Sequence, residues 1–133
     1  MPKPSKYRSG ERISEHALQL AVTEELAWRM PPDVPWTSVD HAAKLSPRQA
    51  GERKRRGVKR GQADYRFILP PNGRSGEIEL KVRGSYQTPD QKAWEASVLA
   101  AGGLYMVCRS MAEVEGALAG WGVKLRGIAI QEV

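Results

Sequence analysis

Asn72-Gly73 sits between two stretches in which large apolar and polar side chains alternate. Asn-Gly is the strongest short hairpin signal, because both residues tolerate the positive φ of a tight primed turn. Pro70-Pro71 adds turn chemistry just before it. The pattern predicts two antiparallel strands, Ala63 to Leu69 and Glu77 to Val82. A turn centred on Asn72-Gly73 pairs residues whose numbers sum to 145. Side chains alternate faces along a strand, so Tyr65, Phe67 and Leu69 share one face with Ile78, Leu80 and Val82. That face is core. The other carries Asp64, Arg66, Ile68, Glu77, Glu79 and Lys81, with Asp64 opposite Lys81 and Glu79 one step along. A one-residue bulge would break this parity.

Asp64, Glu79 and Lys81, brought together on this face, admit two readings. One is a solvent-facing, salt-bridged sheet surface, which contributes little energy. The other is a divalent-cation site. Hard carboxylate oxygens suit Mg2+ or Mn2+, and acids on adjacent strands leave a gap that an ion can bridge. A lysine one step away can orient an attacking water or neutralise charge developing on phosphorus.

The elements around the hairpin alternate helix and strand. Leu18, Val22 and Leu26 recur at i+4 between Ile13 and Met30, a helical stripe stopped by Pro31-Pro32. A short extended piece is expected around Trp36 to His41. Ser46-Pro47 opens a second helix as cap and first residue, with Gly57 as a stop. Thr88-Pro89-Asp90-Gln91 opens a third, with Gln91 completing a capping box, and it ends at Gly102-Gly103. Leu104 to Cys108 reads as a short buried strand, and Ser110 caps a last helix reaching about Trp121. Strand, helix and strand from Glu77 to Cys108 predict a parallel pair with a right-handed crossover. The fold class is α/β: a small mixed β-sheet with flanking helices. Residues 1–12 read as a flexible basic arm, 13–121 as the domain, and 122–133 as a tail that could add an edge strand.

Charge is local. Of 21 basic and 15 acidic residues, Lys44, Arg48, Arg53, Lys54, Arg55, Arg56, Lys59 and Arg60 stand against the single acid Glu52, a local charge of +7. The remaining 13 basic and 14 acidic residues sum to −1. A concentrated basic patch with almost no interleaved acids is the footprint of a polyanion such as nucleic acid; the plainer reading is a solvated helix face. The one cysteine, Cys108, excludes an intramolecular disulfide, and two histidines argue against a thiolate/imidazole zinc site. No apolar run approaches the ~20 residues of a membrane helix. The polar, basic start is not that of a secretory signal, so a cytoplasmic protein is expected.

Gly61-Gln62-Ala63-Asp64, Ile78-Glu79-Leu80-Lys81 and Thr88-Pro89-Asp90-Gln91-Lys92-Ala93-Trp94 together resemble the virus-type replication-repair nuclease (VRR-NUC) domain of the PD-(D/E)xK nuclease superfamily. The resemblance runs from about Ser14 to Trp121. Glu-x-Lys alone is common by chance; the ordered set is far more specific. It implies a restriction-endonuclease-like core in which Asp64, Glu79 and the Leu80 carbonyl bind Mg2+ or Mn2+. Glu15 matches the family's N-terminal helical acid, which completes the metal shell, and Gln91 matches a position near the site. Lys81 would act on the water or the transition state. Glu15 also reads as an ordinary first-turn acid favoured by the helix dipole, and Gln91 as a cap. The family usually has proline just before the first acid, where this chain has Ala63.

The resemblance and the basic segment together lead to one expectation: a structure-selective DNA endonuclease of the junction-resolving type, working as a homodimer on branched DNA. Lys44 to Arg60 would grip phosphates without reading bases. A flap nuclease or exonuclease of the same fold, or a DNA-binding accessory protein with a vestigial pocket, are the alternatives. His16 and His41 read as polar bystanders. Trp94 and Trp121 read as core, Trp36 as the better base-stacking candidate, and Tyr86 as a loop residue that packs on its neighbours or lines a substrate groove.

Overall fold

A computed structural model describes residues 13–41 and 45–127. The N-terminal arm, Lys44 and the end of the C-terminal tail lie outside the described residues. The elements follow in the order α1 (Glu15–Arg29), β1 (Trp36–Ser38), α2 (Pro47–Arg55), β2 (Tyr65–Leu69), β3 (Arg74–Leu80), α3 (Pro89–Ala100), β4 (Leu104–Cys108) and α4 (Met111–Gly120). They form a four-stranded mixed sheet in the order β1-β2-β3-β4. The first three strands are antiparallel neighbours, and β4 runs parallel to β3 on the far side of α3.

Local signals set the helix ends. Ser14, Ser46, Thr88 and Ser110 each accept a backbone N–H at a helix start, and Ser46/Gln49 and Thr88/Gln91 close full capping boxes. Each such cap stabilises its helix by about 1 kcal/mol.

The hairpin differs from expectation in register. Tyr65 pairs with Ile78 and Leu69 with Arg74, so opposed residue numbers sum to 143 rather than 145. The connection is the whole of Pro70 to Gly73, not Asn72-Gly73 alone. Prolines lack an N–H to donate to a ladder, and two of them keep Pro70-Pro71 out of the pairing. The slip is two residues, so the faces survive while the partners change. Asp64 moves from opposite Lys81 to the level of Glu79.

One face of the sheet packs against α1 and α4. Leu18, Val22 and Leu26 meet Tyr65, Phe67, Leu69, Ile78 and Leu80, closed from α4 by Val114, Ala117 and Leu118. Removing Phe67 from this core would cost about 3–5 kcal/mol. Trp121 joins it edge-on to Phe67, over Gly76, where a Cβ would come within 2.8 Å of the indole. Trp36 packs at its rim beside Tyr65, not as a free stacking surface.

The other face is not solvent-facing. α3 lies against it, and Glu77, Glu79 and Lys81 are 4%, 1% and 5% exposed. The salt-bridged surface reading therefore fails. Trp94 belongs to this polar side rather than the core: its indole N–H donates to Glu77 Oε1 at 2.8 Å. The described part of the tail forms no strand. Val123 and Leu125 enter the core, and Arg126 N–H donates to the Arg29 carbonyl at 2.7 Å. Among the described residues no helix is long and apolar enough to cross a membrane.

Candidate active site

Asp64 stands one residue before β2 and is held from both neighbouring strands. Its carbonyl accepts the Val39 N–H at 2.8 Å, and its Oδ2 accepts the Leu80 N–H at 2.7 Å. Glu79 lies at the same level on β3 and is almost wholly buried. Its Oε1 accepts the Tyr105 hydroxyl at 2.6 Å and Gln87 Nε2 at 3.2 Å. Gln87 also donates to Glu95, tying the loop before α3 to that helix. Glu79 Oε2 is buried with no hydrogen-bond partner. It faces Lys81 Nζ at 3.7 Å, and the same Nζ lies 3.5 Å from Glu15 Oε1 in the first turn of α1. Strand, strand and helix thus bring Asp64, Glu79, Lys81 and Glu15 to one place.

The electrostatics are strained. Burial raises the Asp64 carboxyl above its ordinary value; the Leu80 N–H and His41 pull it down, while Glu15 and Glu79 add to the rise. Burial also raises the Tyr105 hydroxyl far above its usual range, reinforced by its bond to Glu79, so it remains a donor. A buried carboxylate oxygen without a donor costs roughly 1–3 kcal/mol or more, and native proteins leave few such atoms. A hard cation would satisfy Glu79 Oε2, so this donor chemistry fits Mg2+ or Mn2+. The fit rests on two carboxylates. Among the described residues no group of three His, Cys, Asp or Glu side chains is arranged to hold a metal ion. Glu15 is turned toward Lys81.

The fold that carries these residues has a counterpart of known structure. A solved chain titled VRR_NUC domain protein superposes with a TM-score of 0.58 over 84% of this chain and 89% of that one, at 22% identity. The chain has the VRR-NUC fold. No protein-family model and no curated protein matches it. The alternation of the hairpin, the α3 crossover and the capping box of that restriction-endonuclease-like core were all legible in the sequence.

Within the VRR-NUC fold the other expected residues divide. Gln91 is engaged in its cap: its Oε1 accepts the Thr88 N–H at 2.9 Å. Arg53, Lys54, Lys59 and Arg60 line an open cleft of about 840 Å3 that His41 also borders. Arg48 and Arg56 are exposed outside that lining. Arg55 is ion-paired with Glu52. Gly61, at φ +77°, seats this segment against α3, where a Cβ would come within 2.3 Å of the Asp90 carbonyl. The cleft and the carboxylates meet at His41, whose Nε2 is 3.6 Å from Asp64 Oδ1.

Sequence reading did not single out Tyr105 or Gln87, and it set His41 aside. Nothing local marks the first two. Tyr105 is level with Glu77 through parallel pairing, which depends on where β4 docks. His41 was visible only as a residue shortly before the basic segment.

Proposed function

We propose that this chain is a metal-dependent nuclease that hydrolyses phosphodiesters of branched DNA. The observation that carries the reading is Glu79 Oε2, buried without a hydrogen bond and facing only the Lys81 ammonium at 3.7 Å, near Asp64 in a VRR-NUC fold. Asp64 and Glu79 would hold Mg2+ or Mn2+, with the Leu80 carbonyl and a reoriented Glu15 completing the shell. Such an ion supplies Lewis-acid polarisation of the scissile phosphate and a lowered water pKa. Tyr105 and Gln87 occupy one oxygen of Glu79 and so present the other. Lys81, held between Glu15 and Glu79, places its ammonium where charge develops on the phosphoryl oxygens and orients the attacking water. Arg53, Lys54, Lys59 and Arg60 grip phosphates beside the cut; these contacts position DNA without reading bases. Symmetric cutting of a four-way junction needs two active sites, which a twofold homodimer provides.

The test is a panel of four-way junction, flap, nicked and linear duplex DNA, incubated with Mg2+ or EDTA, using the wild type and Asp64→Ala. The expected result is cleavage only with Mg2+ and wild type, fastest on the junction. Preference for the flap or for duplex ends would replace the junction assignment with a flap nuclease or exonuclease. Binding without cleavage of any substrate would leave an accessory DNA-binding protein.

A further inference from the structure

The loop Val82 to Thr88, between Lys81 and α3, holds Tyr86 with 77% of its surface exposed. Both sides of the loop are pinned. Ser85 N–H donates to the Val82 carbonyl at 3.0 Å, and the Gln87 side chain is bound to Glu79 and Glu95. Arg109 braces the tyrosine: its guanidinium carbon lies 5.5 Å from the ring centroid, and its Nη1 donates to the Val82 carbonyl at 2.6 Å. The Arg109 backbone N–H is held by Glu113. The guanidinium is thus held at two points, the Val82 carbonyl and the Tyr86 ring, on a residue whose backbone is itself tied down. It holds the ring by a cation–π contact while most of the tyrosine stays open to solvent. Arg83, also exposed, adds positive charge to the same loop.

We infer that Tyr86, braced by Arg109, is a stacking platform for an unpaired nucleobase beside the candidate active site; this rests on the nuclease reading above. Three features favour a base. The ring is preorganised, so stacking costs little conformational entropy. Arg109 packs against it and Arg83 stands in the same loop, two cations that attract phosphate. Tyr86 is one residue from Gln87, whose side chain touches Glu79. A base inside a fully paired duplex is unavailable to such a ring, whereas one at a branch or a single-stranded end can stack on it. The platform thus favours DNA with unpaired nucleotides over intact duplex.

The experiment is DNA binding by anisotropy in EDTA, where nothing is cut. The probes are a blunt duplex and the same duplex carrying a single-stranded tail with 2-aminopurine at its first unpaired position. Tyr86→Ala should weaken binding of tailed DNA about tenfold. Blunt-duplex binding should change by less than about twofold, and Tyr86→Phe should behave as wild type. The 2-aminopurine quenching seen with wild type should disappear in Tyr86→Ala. Equal losses on both probes, or no loss on either, would overturn the platform. If wild type binds and cuts DNA while Tyr86→Ala keeps its affinity for the tail, only the platform falls. If wild type binds neither probe, the nuclease reading falls with it.

Discussion

Arg29 and Lys81 are both buried cations in one small domain, and their surroundings differ. Arg29 donates from Nη1 to Glu25 at 2.9 Å, from Nη1 and Nη2 to Glu115 at 3.0 and 2.7 Å, and from Nε to the Arg126 carbonyl at 2.9 Å. This fork ties α1 to α4 and to the C-terminal segment. Lys81 has ion contacts at 3.5 and 3.7 Å, and its neighbour Glu79 keeps an oxygen without a hydrogen bond. The first site uses four of the five guanidinium N–H groups and ties separate elements together. The second leaves a buried carboxylate oxygen without a hydrogen bond, the feature on which the proposed metal site rests.

Exchanging the two cations tests this contrast most severely. Lys81→Met should reduce junction cleavage at least 100-fold, as loss of a transition-state donor does, with a smaller loss of stability than Arg29→Met, because the Lys81 ion contacts at 3.5 and 3.7 Å are longer than the Arg29 hydrogen bonds. Arg29→Met should do the reverse. It should lose about 3 kcal/mol of stability in urea unfolding, with the rate per folded molecule within about twofold of wild type. Equal damage to stability by both would erase the distinction.

Tyr105→Phe sharpens it within the second site. Losing one donor to Glu79 should weaken Mn2+ binding by calorimetry about tenfold, the effect expected of an outer-shell partner, with little change in melting. An unchanged affinity would reduce Tyr105 to packing.

Asp64→Asn should stabilise the metal-free protein at pH 7 by on the order of 1 kcal/mol while abolishing cleavage, the exchange of activity for stability seen at strained sites. Its direction follows from the raised Asp64 carboxyl. A folded value above the unfolded one means stability is gained as pH falls through that raised value toward 3.8. Thermal melts in EDTA across that window should show the gain in wild type and not in the mutant.

Glu115 gives the smallest and opposite effect. Its hydrogen bond to Arg29 lowers its carboxyl below the ordinary 4.5, so its contribution is present above pH 4.5 and is lost as pH falls through the depressed value. Glu115→Gln should flatten that acid-side loss; an unchanged slope would show the ion pair to be energetically idle.

Residue patterns near in sequence were the readable part. Ser46-Pro47 and Thr88/Gln91 announced two helix starts, and alternation through Tyr65, Phe67 and Leu69 announced the core face. The hairpin register was misjudged by two residues because Asn72-Gly73 is a strong local signal and the neighbouring prolines override it. The candidate site was legible for Asp64, Glu79 and Lys81, which share strand parity. It was illegible for Tyr105, Gln87 and His41, whose approach depends on separate elements.

By itself, then, the chain's alternation determined that two acids and a lysine lie on one side of a hairpin whose other side is apolar. That follows from the pleat, which acts between adjacent residues. Only the tertiary structure decided that the charged side is buried. The α3 crossover lays a helix over it, brings Tyr105 level with Glu77 through β4, and leaves one carboxylate oxygen without a hydrogen bond. Burial depends on which element crosses which face, and no short-range pattern encodes that.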